Sequence, residues 1–389
     1  MVNRVATPSR GGRSYLFVID SLQCGGAERH VIDVGRALTD RGHSVTVACS
    51  VGGHFQAVGE HAGLRVIPLC GKLTKRRFGA AFAWRVRRLV LDESPDLVHG
   101  HLYSGGLAAA FATAGTGVPL VLTEQTEAPW RRRRQRLASS MAYRRAAKII
   151  GVSKAITAAI ERDFGVAPEK LFCIPNGVTF DGGTTSLPSG DPVIGLVARL
   201  TPEKDVACFL NAAARIADSF PTATFRIAGD GPLRPELERL AADLGLGERV
   251  SFLGVLDEMR PFFESVHVLA VSSVAEGTPL SIVEAMGAAV PIVATAVGGI
   301  PEQVTDGRNG YLVEPRNPAA LAERIGSVLA DPDAAMRLGE AGRARALSEF
   351  SVETMTDAIE SVYEDAFTRR PAERRAAAPP LEARPAERI

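Results

Sequence analysis

Short apolar runs alternate along this chain with stretches whose apolar residues recur at helical spacing. The first run, YLFVID at 15–20, ends in turn residues and predicts a buried strand. After a loop, 21–26, a helix follows with Val31, Val34 and Leu38 on one face, closed by Gly42. Further strands are predicted at 44–48, 64–69, 96–99, 120–123 and 148–152, alternating with helices that include 78–91, 104–114 and 153–164. A second alternating series begins at Pro192. Its strand candidates are VIGLVAR, TFRIAGD, VSFLGV, HVLAVSS and PIVATAV, with helices near 206–218, 236–244 and 280–289. The last helices are expected near 319–329, 334–347 and 352–366. Strands apolar throughout and separated by helices belong to parallel sheets covered on both faces, which bind ligands at the carboxyl ends of their strands. The pattern therefore predicts an α/β fold of two doubly wound domains facing a cleft, one within 1–180 and one within 192–350. The Gly, Ser, Thr and Pro content around 181–191 marks a linker, and 367–389, biased to Pro, Ala, Arg and Glu, is expected to be disordered.

Composition narrows this only slightly. At 389 residues the chain is too long for one typical core. A net charge of +1 argues against a general nucleic-acid binder, although the charge is unevenly spread. The five cysteines are odd in number, scattered and without a CxxC pair, so they indicate neither a disulfide framework nor a zinc site, and a reducing cytoplasm fits best. No apolar run is long enough to span a bilayer, and the polar N-terminus lacks a secretory segment, so any membrane contact is expected to be peripheral.

The candidate chemistry gathers around 272–302, SSVAEGTPLSIVEAMGAAVPIVATAVGGIPE, after the apolar strand 267–271. Glu276 and Gly277 fall in a turn, Thr278 is the expected N-cap and Pro279 the first helical residue. The helix N-terminus then suits a phosphate, and Glu284, one turn beyond Leu280, can accept hydrogen bonds from a neutral part of the same ligand such as a ribose diol. That combination suggests a nucleotide, while two glutamates alone would favour an ordinary strand–helix–strand unit with two surface glutamates. In GLVARLTPEKD, Arg199 and Lys204 lie just past a strand end, where two fixed cations can stabilise a departing diphosphate without a metal. Taken alone, they are better explained as an Arg and a Lys on a surface loop. The only Asp-x-Asp, Asp331-Pro332-Asp333, lies between two helices and reads as a helix cap rather than a metal loop. His99 and His101 end a strand, facing the expected cleft. They fit structural histidines or a metal pair, but no third ligand with suitable spacing appears. No GxGxxG follows a strand, which counts against a dinucleotide oxidoreductase.

The block EGTPLSIVEAMGAAVPIVAT, with seven residues between Glu276 and Glu284, resembles the donor-site motif of the retaining GT-B glycosyltransferases, group 1 or family 4. The resemblance covers nearly all of 15–366, including GGAERH after the first strand and the HxH of DLVHGHLYSGG. It implies two Rossmann-like domains, with 351–366 returning to the first as a crossing helix. It also implies that Arg199, Lys204, Gly277, Thr278 and Leu280 hold the donor diphosphate, Glu284 the ribose, and His101 and Glu276 the transferred sugar, leaving His99 structural. Gly25 and Gly26 would let the backbone approach the donor. Gly298, Gly299 and Glu302 look like further cleft lining, and Asn176 reads first as a turn residue.

The reaction implied moves a sugar from a nucleotide-diphosphate sugar, UDP-sugar favoured, to an acceptor hydroxyl on a glycan or lipid-linked glycan. It proceeds with retention and needs no metal or other cofactor. Acceptor contacts are expected in the loops 52–57, 72–78 and 124–130. A nucleotide-sugar epimerase of similar architecture and a non-catalytic sugar-nucleotide binder are the alternatives. The most basic stretch, WRRRRQRLASSMAYRR, reads either as a solvated helix or as a dock on an anionic leaflet through the arginines from Arg131 to Arg136.

Overall fold

The computed structural model describes residues 11–23, 25–73, 78–126, 131–180 and 188–368. Cys24, Trp130, residues 181–187 of the linker and the tail beyond Thr368 lie outside the described residues.

The first half runs β1 (Ser14–Ser21), α1 (Gly26–Asp40), β2 (Ser44–Val51), α2 (His54–His61), β3 (Arg65–Pro68), α3 (Ala80–Glu93), β4 (Leu97–His101), α4 (Leu102–Thr113), β5 (Leu120–Glu124), α5 (Arg133–Arg145), β6 (Lys148–Gly151), α6 (Lys154–Phe164) and β7 (Leu171–Cys173). The second runs β8 (Val193–Val197), α7 (Val206–Ser219), β9 (Thr224–Ala228), α8 (Arg234–Asp243), β10 (Val250–Gly254), α9 (Arg260–Phe263), β11 (Val268–Val271), α10 (Leu280–Gly287), β12 (Ile292–Thr295), α11 (Ile300–Gln303) and β13 (Tyr311–Val313). It closes with α12 (Pro318–Ala330), α13 (Pro332–Glu349) and α14 (Val352–Thr368).

The strands form two sheets, ordered β3-β2-β1-β4-β5-β6-β7 and β10-β9-β8-β11-β12-β13. All pairings between these strands are parallel. In each sheet the strand order reverses beside the first strand, β1 or β8, so the two switch points, where such sheets bind ligands, lie at β1/β4 and β8/β11. Apolar side chains fill both faces: Phe17, Ile19 and Val31 lie in a core on one side of the first sheet, and Leu16, Val18 and Val86 in one on the other. The second sheet is built alike, with Phe209 and Phe225 on one side and Leu269 and Ile282 on the other.

The chain passes twice between the halves. Val178 donates its N–H to the Phe350 carbonyl at 2.9 Å and accepts from Val352 N–H at 3.1 Å, so the two crossings are hydrogen-bonded to each other. Beyond that point α14 inserts Val352, Met355, Ile359, Val362 and Tyr363 into the core of the first half.

Some local expectations are corrected. Residues 52–57, expected as a loop, are largely α2, a helix of 8 residues whose buried position is Gly59 against Ile32 and Val66, so it is held by packing rather than by an apolar stripe. Thr278 does not cap α10: the N-cap is Pro279, in extended conformation, and the helix starts at Leu280. A ring with φ near −65° fits a cap as well as a first helical position, which is why the pattern left one residue of slack. Asp331 caps α13 by accepting from Ala334 N–H at 2.9 Å.

Candidate active site

Two loops of the second half meet beyond the ends of β8 and β11. The Ser272 hydroxyl donates to the Lys204 carbonyl at 3.0 Å, and Val274 N–H donates to the Glu203 carbonyl at 2.9 Å. Asp205, next along, takes the left-handed conformation at φ 43° and caps α7 through its side chain. The bend fixes where Lys204 points: its Nζ donates to Glu276 Oε1 at 2.6 Å, and the Ser273 hydroxyl donates to the same oxygen at 2.7 Å. Arg199 is about half exposed and pairs with Glu203 at 3.4 Å. Gly298 sits behind the Glu276 turn with φ +54°, and a side chain there would collide with the Glu276 carbonyl. Thr278 is buried, and its hydroxyl has no hydrogen-bond partner among the described residues.

The first half faces this turn closely. A side chain at Gly277 would collide with the Gln125 carbonyl at the end of β5. Asn176, buried rather than a free turn residue, donates to Gln125 Oε1 at 2.9 Å and to the Thr278 carbonyl at 3.3 Å. Glu302 is not open cleft lining: its carboxylate accepts from the N–H groups of Lys154 at 2.8 Å and Ala155 at 3.1 Å. These open α6 in the other half, where a negative charge is stabilised by the exposed amides and the helix dipole. A Cβ at Gly26 would stand 3.5 Å from Leu280, which places the first turn of α1 against the first turn of α10. One turn further along both helices, Arg29 pairs with Glu284 at 3.2 Å. Burial pushes the Glu284 carboxyl up to about 7, against the opposing pull of Arg29 and with a smaller push from Asp33.

His99 does not face the cleft. It is fully buried between the Tyr363 hydroxyl at 2.6 Å and the Thr123 hydroxyl at 2.7 Å, a structural histidine. His101, stacked on it at 4.0 Å between ring centroids, is also fully buried, yet neither ring nitrogen has a hydrogen-bond partner among the described residues. Burial, and then His99 and His30, hold its pKa well below the usual histidine range, so it is neutral and offers one N–H and one lone pair. His30, on α1, lies 5.6 Å from His101 between centroids, and burial lowers it to about 4. Among the described residues, no group of three His, Cys, Asp or Glu is placed to hold a metal ion.

The basic stretch divides. Arg131 is buried: its Nη2 donates to both carboxylate oxygens of Glu124 at 2.7 Å and its Nη1 donates to the Tyr143 hydroxyl at 2.7 Å, so it is no part of a basic surface. Its neighbours Arg132, Arg133 and Arg134 are exposed, and Arg136 pairs with Asp163 at 3.3 Å. Among the described residues no helix is long and apolar enough to cross a membrane.

Two parallel, doubly wound halves face each other, with two carboxylates and their cations at the facing strand ends, which is the GT-B architecture. The comparisons agree. The family model described as glycosyl transferases group 1 matches residues 183–345, and that of glycosyltransferase family 4 matches residues 24–181. The chain is 29% identical over 401 residues to a D-inositol 3-phosphate glycosyltransferase of Streptomyces scabiei, covering 93% of this chain and 88% of that one. It is 30% identical to an alpha-maltose-1-phosphate synthase of Mycolicibacterium smegmatis, covering 70% and 79%. The crystal structure of Anabaena HepE in complex with UDP and glucose superposes with a TM-score of 0.80 at 25% identity, covering 90% of this chain and 99% of that one. This chain belongs to the group 1, family 4 glycosyltransferases.

Of the sequence-predicted residues, Gly26 thus meets Leu280 across the cleft, Gly277 meets the Gln125 carbonyl and Glu284 meets Arg29, while Lys204 and Glu276 are brought into contact with each other. Sequence reasoning missed Arg29, Gln125 and the bridging role of Glu302. Arg29 stands inside GGAERH, but its partner is 255 residues away, and no local spacing signals it.

Proposed function

We propose that this transferase moves a sugar from a UDP-sugar to an acceptor hydroxyl with retention of anomeric configuration and without a metal. The observation that carries the reading is the 2.6 Å contact of Lys204 with Glu276, next to the α10 N-terminus and opposite the glycine turn. Arrival of a diphosphate draws the ammonium from Glu276 onto phosphate oxygens, with Arg199 and the opening amides of α10 completing the neutralisation. That frees the Glu276 carboxylate to accept from hydroxyls of the transferred sugar. The neutral, unpartnered His101 supplies the second polar contact to that sugar, and the buried Thr278 hydroxyl, also unpartnered among the described residues, supports its reading as a phosphate ligand. Two fixed cations do here what a divalent ion does elsewhere. The UDP preference rests on the HepE complex, and a glycan or lipid-linked glycan is the acceptor class proposed. For such an acceptor, α5 supplies a contact with an anionic leaflet through Arg132, Arg133 and Arg134.

Thermal unfolding against UDP, GDP, ADP and TDP with EDTA present tests the donor reading. A nucleotide at about a hundred times its dissociation constant stabilises the native state by about 2.7 kcal/mol. UDP is expected to shift the wild type and not Lys204→Ala. A shift that needs added metal, or that Lys204→Ala retains, contradicts it. The anomeric configuration of the product, read by NMR, tests retention.

A further inference from the structure

Both carboxylates of the donor site are already held by cations, but not alike. Glu276 is held by Lys204 from its own half, whereas Glu284 is held by Arg29 from the facing half. Arg29 Nη1 donates to Glu284 Oε1 at 3.2 Å, and its Nε donates to Asp33 Oδ2 at 3.3 Å. Arg29 takes only Oε1 of the two carboxylate oxygens, so a ribose diol that engages both oxygens of Glu284 has to share Oε1 with the guanidinium. The Glu284 side chain is only 16% exposed, so little room is left for both to approach. Asp33, one turn along α1 from Arg29, gives the guanidinium a partner to keep when it leaves Glu284, so release strands no buried cation.

We propose that Arg29 gates the donor site: without nucleotide its guanidinium ligates Glu284 and ties the two halves together, and donor binding requires it to yield that carboxylate and fall back on Asp33. This rests on the reading of Glu284 as the ribose acceptor. Nucleotide binding is then weaker than the site's intrinsic affinity by the fraction of molecules in which the gate is open. Arg29 acts through Glu284 and is a positioning residue.

Isothermal titration with uridine, which carries the ribose but no phosphate, isolates the competition. If the gate is open in about a fifth of molecules, Arg29→Met binds uridine about fivefold tighter than wild type. Its KM for the sugar nucleotide falls while kcat is not raised. Glu284→Gln binds uridine more weakly, and adding Arg29→Met to it brings no further gain. Arg29→Gln gives the same readout if the Met variant is poorly folded. Unchanged or weaker uridine binding by a folded Arg29 variant, with Glu284→Gln still impaired, overturns the gate and leaves the ribose reading standing. Wild-type uridine affinity in Glu284→Gln removes the ribose reading, and the gate with it.

Discussion

Glu284 carries its charge in an unfavourable place, and the consequence can be followed by pH. Its native pKa of about 7 lies above the value near 4.3 of an unfolded glutamate, so folding favours the protonated form. The associated stability is fully present below the unfolded value and is lost as pH rises through about 7. Glu284→Gln has no charge to lose, so its melting temperature relative to wild type should climb between about pH 4.3 and about pH 7 and level off above that. A difference that stays flat across that range would show that Arg29 fully offsets the burial. His101 is the opposite case. Burial holds its pKa well below the usual histidine range, so it stays neutral near pH 7 and above.

At the scale of elements, α6 shows how one half is finished by the other. Ser153 accepts from Ile156 N–H at 3.2 Å, and Glu302 takes the amides of Lys154 and Ala155 that would otherwise open to the cleft. Glu302→Ala should cost about 1 kcal/mol in chemical unfolding, the usual worth of a helix cap. Hydrogen exchange at the Lys154 and Ala155 amides should quicken, and unchanged protection there would count against the bridge. The elements around the site were legible where apolar run and turn chemistry agree: β11 followed by the Gly277–Pro279 turn and α10 is the clearest case. Strands β7 and β13, each 3 residues long, were not, because so short a run has no period. Arg131 was hidden for a different reason. Within a run of four arginines nothing marks one as buried, since what singles it out is Glu124 and Tyr143 folded onto it. Glu302 looks like cleft lining in the sequence, but its carboxylate is taken by a helix that belongs to the opposite sheet. Partners set by the facing of two halves leave no local trace.

The whole molecule carries a net charge of +1, yet α5 and its N-cap present Arg132, Arg133 and Arg134, with Leu137 and Met141 further along the helix both 65% exposed. Exposed basic and apolar side chains on one helix suit an interface with anionic lipid, at about 1 kcal/mol per basic residue near the surface. Co-sedimentation with anionic vesicles is expected at low salt and should be lost on reversing the charge of these three arginines. Binding that survives the reversal, or no binding at all, would remove the leaflet from the reading. The crossing at Val178 and Ser351 bears on how such a molecule works when one half is held still. Two segments of the chain bonded to each other where they pass act as a pin joint rather than as two separate straps. A pin admits rotation and resists sliding, so any turning of one half against the other would follow an arc about this axle, and the ends of the two sheets would meet again at the same place after each turn.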